Sequence, residues 1–124
     1  METTEFTKVT GIVRADVLER VERPLQELQV PGLSVTKVKG YGEYANFFGR
    51  DWLVEHVRIE IFVVRERADE IAGAIVTTAR TGGPGDGIVA VLPVEAVYHV
   101  RTGALATSMD VGGREGGPDG APPE

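Results

Sequence analysis

The sequence contains no cysteine among its 124 residues. This absence excludes disulfides, thiolate metal sites and a cysteine nucleophile together. No apolar run approaches the roughly eighteen residues that indicate a membrane-spanning helix, and the acidic, polar start METTEF does not have the pattern of a signal peptide. We therefore expect a chain that acts in the cytoplasm and does not itself span a membrane.

Clustered positive charge is also missing. The chain has 13 Lys and Arg against 19 Asp and Glu, which gives a net charge of -6. Nucleic-acid affinity depends on clustered cations, so we expect no nucleic-acid partner. One small anion held by a few well-placed donors remains compatible with this charge. The length and the 42% hydrophobic content indicate a single globular domain with one core.

Motifs for catalysis are absent as well. The only histidines are His56 and His99, and there is no HExxH, GxSxG or paired-carboxylate motif. Glu60 and Asp86 are possible acid and base groups, but nothing in the sequence places them together. We predict that the chain has no catalytic residue and no metal site, and that it is not an enzyme.

The hydrophobic pattern predicts four strands and two helices. Strands are indicated by period-two alternation, most clearly in VRIEIFVV, where Val57, Ile59 and Ile61 would face one way. The predicted strands are Phe6 to Val13, Leu33 to Lys39, Val57 to Val64 and Ile88 to Leu92, with a short fifth over Val97 to Arg101.

Two helices lie between these strands. Asp16 is the predicted cap of the first, whose apolar stripe contains Val17, Val21, Leu25 and Leu28. Pro24 lies inside this stripe and is expected to kink or shorten the helix. The second helix is predicted over Ala68 to Arg80.

This order of elements predicts an α+β, ferredoxin-like split βαβ fold (βαββαβ), an antiparallel sheet with helices on one face. A bare, partly apolar sheet face is usually covered by copies of the same chain. We predict that residues 1–103 form the domain and that the Gly- and Pro-rich residues 104–124 form a disordered tail.

Two segments are candidates for function. The turn TGGPGDG over Thr81 to Gly87 has glycines that permit positive φ and expose backbone N–H groups to an anion, although a plain connector is equally compatible. The irregular segment 40–56 carries aromatics that either meet a partner or pack on a neighbouring subunit. Arg101, just before a turn, could bind phosphate oxygens bidentately.

Four stretches together resemble the PII signal-transduction proteins: GLSVTKVKGYG from Gly32, VRIEIF from Val57, TGGPGDGIVAV from Thr81 and VRTG from Val100. The resemblance spans roughly residues 6–103. It implies a homotrimer that binds ATP or ADP in the clefts between subunits. It also implies a flexible signalling loop, here about 40–56, that docks onto a membrane transporter, an enzyme or a regulator.

The resemblance also implies particular binding residues. Gly40, Tyr41 and Gly42 would approach the nucleotide at the loop root, and Ser34 would lie near the adenine. Glu60 and Phe62 would line the cleft from their strand, while Gly85, Asp86 and Gly87 would contact ribose and phosphate. His99, Arg101 and Thr102 would complete the nucleotide site, and Tyr44, Phe47, Phe48 and Trp52 would belong to the partner-binding loop.

Several positions depart from the family pattern. Ile88 stands where the family has a lysine and His99 where it has a phosphate-binding arginine, so we expect ADP or AMP to be preferred over ATP. The loop is shorter than usual and lacks the tyrosine context of the family's uridylylation site. Tyr44 replaces the glutamine that helps bind 2-oxoglutarate. These departures indicate a divergent branch, and some such branches accompany bicarbonate transport.

One alternative from another functional class is a trimeric metal- or anion-binding protein like the divalent-cation-tolerance family, which has the same fold. Only His99 and Glu95 suggest metal ligands in the sequence. The glycine turn and the VRTG segment favour the nucleotide-binding alternative, because metal binding requires neither.

Overall fold

The computed structural model describes residues 5–38 and 55–107. Its elements follow the order predicted from the hydrophobic pattern, and the α+β ferredoxin-like fold is confirmed. None of the helices in these two ranges is long and apolar enough to cross a lipid bilayer. The elements are β1 (Phe6–Arg14), α1 (Leu18–Glu27), β2 (Ser34–Val38), β3 (His56–Val64), α2 (Ala68–Ala79) and β4 (Gly87–Val94).

The four strands form one antiparallel sheet in the order β2-β3-β1-β4. β1 lies inside the sheet and pairs with β3 along its whole length, from Phe6 opposite Val64 to Arg14 opposite His56. On its other side, Val13 is opposite Gly87. The first end of the sheet therefore holds the end of β1 and the starts of β3 and β4.

The two halves of the domain are built alike. β1 and β3 each have nine residues, and each is followed by a three-residue 3₁₀ turn, Ala15–Val17 or Arg65–Arg67, that leads into a helix. Both helices pack on the same face of the sheet. We call the opposite face the open face.

Side-chain alternation on the central strands separates the core from the open face. On β3, Val57, Ile59 and Ile61 are buried toward the helices, whereas Glu60 and Phe62 lie on the open face, as predicted. The helices complete the core. The predicted apolar positions Val17, Val21 and Leu25 are buried, and Leu28 is partly buried against them. On α2, Ile71 and Ile75 are buried.

The start of the first helix differs from the prediction. The residues at the N-cap positions of the 3₁₀ turn and of α1 are Arg14 and Val17, not Asp16, and neither makes a side-chain capping bond. The Asp16 carboxylate instead accepts two hydrogen bonds from the Arg14 guanidinium, at 3.0 Å from Nε and 2.7 Å from Nη2. The bidentate, charged hydrogen bond from Arg14 therefore uses the carboxylate that was predicted to cap the helix. α1 itself continues through Pro24 as far as Glu27.

The predicted fifth strand over Val97 to Arg101 is wrong. The chain turns back after Tyr98, because the Gly103 N–H donates to the His99 carbonyl at 2.8 Å and Gly103 adopts a φ of 75°. Tyr98 then forms an isolated bridge with Leu105. We call residues 97–106 the C-terminal hairpin.

The C-terminal hairpin is fixed to the second end of the sheet, which holds the start of β1 and the ends of β3 and β4. The Ala106 N–H donates to the Val97 carbonyl at 2.7 Å, and Ala106 is buried against Phe6 and Val64. The boundary predicted after Gly103 therefore falls inside a packed unit.

Candidate functional site

The turn between α2 and β4, Thr81 to Gly87, is organised by one carboxylate. Asp86 accepts hydrogen bonds from the Thr81 N–H at 2.9 Å, the Thr81 hydroxyl at 2.5 Å and the Gly82 N–H at 2.9 Å. The Gly83 N–H donates to the Thr81 hydroxyl oxygen at 3.2 Å. These bonds occupy the amides of the first half of the turn. An anion would therefore meet amides of the second half, from Gly85 onward.

The charge of Asp86 is stabilised by the same bonds. The hydrogen bond from the Thr81 hydroxyl lowers the pKa of the Asp86 carboxyl below its ordinary value, against an opposing contribution from burial. The Thr81 and Gly82 amides and the positive charge of Arg14 lower this pKa further. Asp86 is consequently ionised at neutral pH, and it acts as the internal anion of the turn.

The turn fits closely against β1. Gly85 has a φ of 98° and Gly87 a φ of 102°, values that side chains of L-amino acids rarely permit. A Cβ atom at Gly87 would lie 1.8 Å from the Ile12 carbonyl oxygen. Only glycine can occupy this first position of β4, because any side chain would collide with the backbone of the neighbouring strand.

His56 joins the turn to the sheet. Its Nε2 atom lies 2.8 Å from the Gly85 carbonyl oxygen, in a buried hydrogen bond. Sequence reasoning assigned His56 no role beyond that of an ordinary solvated or hydrogen-bonded side chain, and the link to Gly85 was missed. The available signal was its position at the start of the clearest strand, directly after the irregular segment.

The two ends of the undescribed segment 39–54 lie at the same end of the sheet as this turn. Val38 at the end of β2 is opposite His56 in the sheet. The Ala15 N–H donates to the Glu55 carbonyl at 2.8 Å, and Lys37 Nζ lies 3.4 Å from Glu55 Oε2. The predicted site residues Gly40, Tyr41 and Gly42 and the loop aromatics Tyr44, Phe47, Phe48 and Trp52 lie outside the described residues.

Three further predicted residues, Ser34 on β2 and Glu60 and Phe62 on β3, lie together on the open face. Ser34 is opposite Glu60 in the sheet. Glu60 Oε2 is 2.9 Å from Lys8 Nζ, and the hydrogen bond from Lys8 lowers the pKa of Glu60. Lys8 Nζ also lies 5.9 Å from the centre of the Phe62 ring. Glu60 is thus already part of an ion pair.

The remaining predicted residues, His99, Arg101 and Thr102, lie on the C-terminal hairpin. This hairpin follows β4, whereas the glycine turn precedes it. The eight residues of β4 span roughly 23 Å at the usual rise of an antiparallel strand. A single chain therefore places the predicted phosphate-binding residues at opposite ends of its sheet and does not bring them together.

An open cleft of about 210 Å³ lies between α2 and β4, beside the glycine turn. Its lining includes the apolar residues Val76, Ile88 and Val89 and the charged residues Arg80 and Asp86. Within residues 5–38 and 55–107, no three His, Asp or Glu side chains lie close enough together to hold a metal ion.

Comparisons with known proteins identify relatives of this chain. The family model described as nitrogen regulatory protein P-II matches residues 6–104. Nitrogen regulatory protein P-II of Cyanidium caldarium is 38% identical, over 78% of this chain and 92% of its own length. The protein of the same name from Pasteurella multocida (strain Pm70) is 34% identical, over 77% and 92% of the two chains.

A P-II homolog of Arabidopsis thaliana is 34% identical, and the match spans 81% of this chain but 55% of the plant protein. The crystal structure of Arabidopsis thaliana PII bound to citrate superposes with a TM-score of 0.70 at 31% identity, covering 87% of this chain and 92% of the other. These similarities confirm the resemblance seen in the sequence and the fold derived from it. The chain belongs to the nitrogen regulatory protein P-II family, whose members are regulatory proteins.

Proposed function

We propose that the chain is a cytoplasmic signalling protein that binds adenine nucleotides between the subunits of a homotrimer. In this proposal the nucleotide is a regulatory ligand, and there is no prosthetic group. The bound nucleotide controls how the segment 40–56 engages a partner, either a membrane transporter or an enzyme of carbon or nitrogen metabolism.

One observation carries the proposal: the predicted phosphate-binding residues lie at the two ends of β4. The Gly85–Gly87 part of the turn leads into the start of β4, and Arg101 lies on the C-terminal hairpin that follows the end of this strand. Neither group alone has the features of a complete phosphate site. A neighbouring copy that places its C-terminal hairpin against the glycine turn would complete the site, so a cleft between subunits explains the separation.

The open face supports self-association. Phe62, Lys8 and Leu92 form one row across β3, β1 and β4, because Lys8 is opposite both of the others in the sheet. Phe62 is 45% exposed and Leu92 42% exposed in the single chain. Apolar side chains in the middle of a sheet face are typically covered, and a second and third copy would cover them.

The positions that match the family's phosphate-binding residues favour a ligand with few phosphates. Ile88, directly after the turn, supplies no positive charge, and Arg101 is the guanidinium that the C-terminal hairpin contributes. Each additional phosphate adds negative charge that needs a donor or a cation. We therefore propose that ADP or AMP binds more tightly than ATP.

Regulation would follow from a shift between states of the chain. A ligand bound at the turn favours whichever state of the neighbouring segment binds it better, and the partner recognises that state. Val38, Glu55 and the turn lie at the same end of the sheet, and the hydrogen bond from His56 to Gly85 joins the start of β3 to the turn, which supports this coupling. We include a bicarbonate transporter among the proposed partners.

Isothermal calorimetry and native mass spectrometry test the proposal. The protein would be titrated with ADP, AMP and ATP, with GDP and divalent cations as controls. We expect a trimer that binds one adenylate per subunit, with higher affinity for ADP or AMP than for ATP. A monomer indifferent to all three adenylates would refute the proposal, and retention of metal without nucleotide would favour the divalent-cation-tolerance alternative.

A further inference from the structure

His56 lies where three strands meet at the first end of the sheet. It is the first residue of β3, it is 3% exposed, and it is opposite Arg14 on β1 and Val38 on β2. From this position its Nε2 reaches the Gly85 carbonyl oxygen at 2.8 Å. One buried side chain thus connects the glycine turn to the two strand ends that adjoin segment 39–54.

The direction of this hydrogen bond follows from its acceptor. A carbonyl oxygen can only accept, so Nε2 carries the hydrogen. The described part of the chain has no cis peptide bond, and in a trans peptide the C=O and the next N–H point in opposite directions. Because the imidazole holds the Gly85 carbonyl toward β3, the Asp86 N–H points away from it. His56 therefore fixes the direction of a donor in the half of the turn available to an anion.

The rest of the turn is joined into one hydrogen-bonded unit. Asp86 ties the backbone of Thr81 and Gly82 to the end of the turn, and Gly87 lies directly against β1. A ligand that displaces this unit must either break the bond to His56 or carry the first residue of β3 with it. Leaving a buried donor without an acceptor is unfavourable, which favours displacement of the strand end together with the turn.

We propose, resting on the function proposed above, that His56 is a positioning residue that transmits ligand binding at Gly85–Gly87 to the paired ends of β2 and β3. It acts through the Gly85 carbonyl and does not contact the ligand itself. The Nε2–H donor carries this coupling, and a buried side chain of similar size without a donor does not.

Amide hydrogen exchange with ADP as the probe tests this coupling. Native protein and variants would be compared with and without ADP, at concentrations that calorimetry shows to saturate each one, in peptides covering residues 34–58. His56→Leu removes the donor at similar volume, and His56→Gln retains an amide N–H at a similar distance from the backbone. Thr7→Val is the matched control, because Thr7 is an equally buried polar strand residue at the second end of the sheet.

We expect most of the ADP-induced change in exchange at the β2 and β3 ends to be lost in His56→Leu. Thr7→Val should keep the native response, and His56→Gln should largely restore it. If His56→Leu does not fold, His56→Asn, whose amide ends nearer the backbone, replaces it.

The outcomes separate the two proposals. A native-sized response in His56→Leu, no response in the native protein despite ADP binding, or equal loss in His56→Gln and His56→Leu would each overturn the coupling role alone. If the native protein binds none of the three adenylates by calorimetry, the proposed function fails and the coupling role fails with it.

Discussion

Gly87 lies against the backbone of Ile12, so closely that a Cβ atom would fall 1.8 Å from the Ile12 carbonyl oxygen. We expect Gly87→Ala to lower the free energy of unfolding by about 3 kcal/mol or more, since strain at a positive φ alone costs about 1–3 kcal/mol and the clash with backbone adds to it. Urea denaturation measures the change. Gly73→Ala is the control, because Gly73 lies in α2 with open space around it, and it should gain up to about 1 kcal/mol from helix propensity. Equal stability of Gly87→Ala and the native protein would contradict the described turn.

Asp86 should make stability depend on pH in the acidic range. Its folded-state pKa is below the ordinary value of 3.8, so its contribution is fully present above 3.8 and is lost as the pH falls through the folded value. Asp86→Asn should therefore be less stable than the native protein at pH 7, and the difference should shrink below about pH 4. Thermal unfolding at several pH values measures this, and a constant difference down to pH 2 would argue against it.

Arg101 provides a direct test of the nucleotide site. Hydrogen bonds to charged groups contribute about 1.5–3 kcal/mol, so Arg101→Ala should weaken ADP binding by about ten- to a hundredfold in calorimetry. Arg23→Ala, which removes an exposed arginine from α1, should leave the affinity unchanged. Equal ADP affinities in the two variants would place the ligand elsewhere.

The open face should determine the oligomeric state. Leu92→Glu puts a second carboxylate beside Lys8, which already pairs with Glu60, in the middle of this face, where burial of an additional charge is unfavourable. We expect the trimer to dissociate into monomers, as measured by light scattering after gel filtration. Val35→Glu is matched in exposure, at 39% against 42% for Leu92, but lies on the side of β2 that faces away from the open face, opposite Ile59, and it should remain trimeric. A trimer in both variants would show that another surface holds the subunits together.

The strands and helices could be predicted because one face of each is buried. In VRIEIFVV the alternation of Val57, Ile59 and Ile61 with polar neighbours directly reports the two faces of the sheet. The start of α1 could not be predicted in this way. Asp16 is a good cap by residue type, and only the position of the Arg14 guanidinium decided that it forms an ion pair instead.

The site was harder to predict than the fold, because its parts meet through pairing between distant strands. The glycine turn was visible in the sequence, but its internal bonds to Asp86 were not, since they depend on the shape of the turn. The hydrogen bond from His56 to Gly85 joins residues far apart in the chain, and no local sequence pattern predicts it. The separation of Arg101 from the turn likewise became visible only with the strand order.

The length of β4 has a consequence for the proposed sensor in the cell. If one ligand is shared between the turn of one copy and the C-terminal hairpin of another, ligand occupancy and assembly are thermodynamically linked. Dilution would then release nucleotide, and nucleotide would protect the oligomer from dilution. The abundance of the chain itself would help to set the range of adenylate concentrations to which it responds.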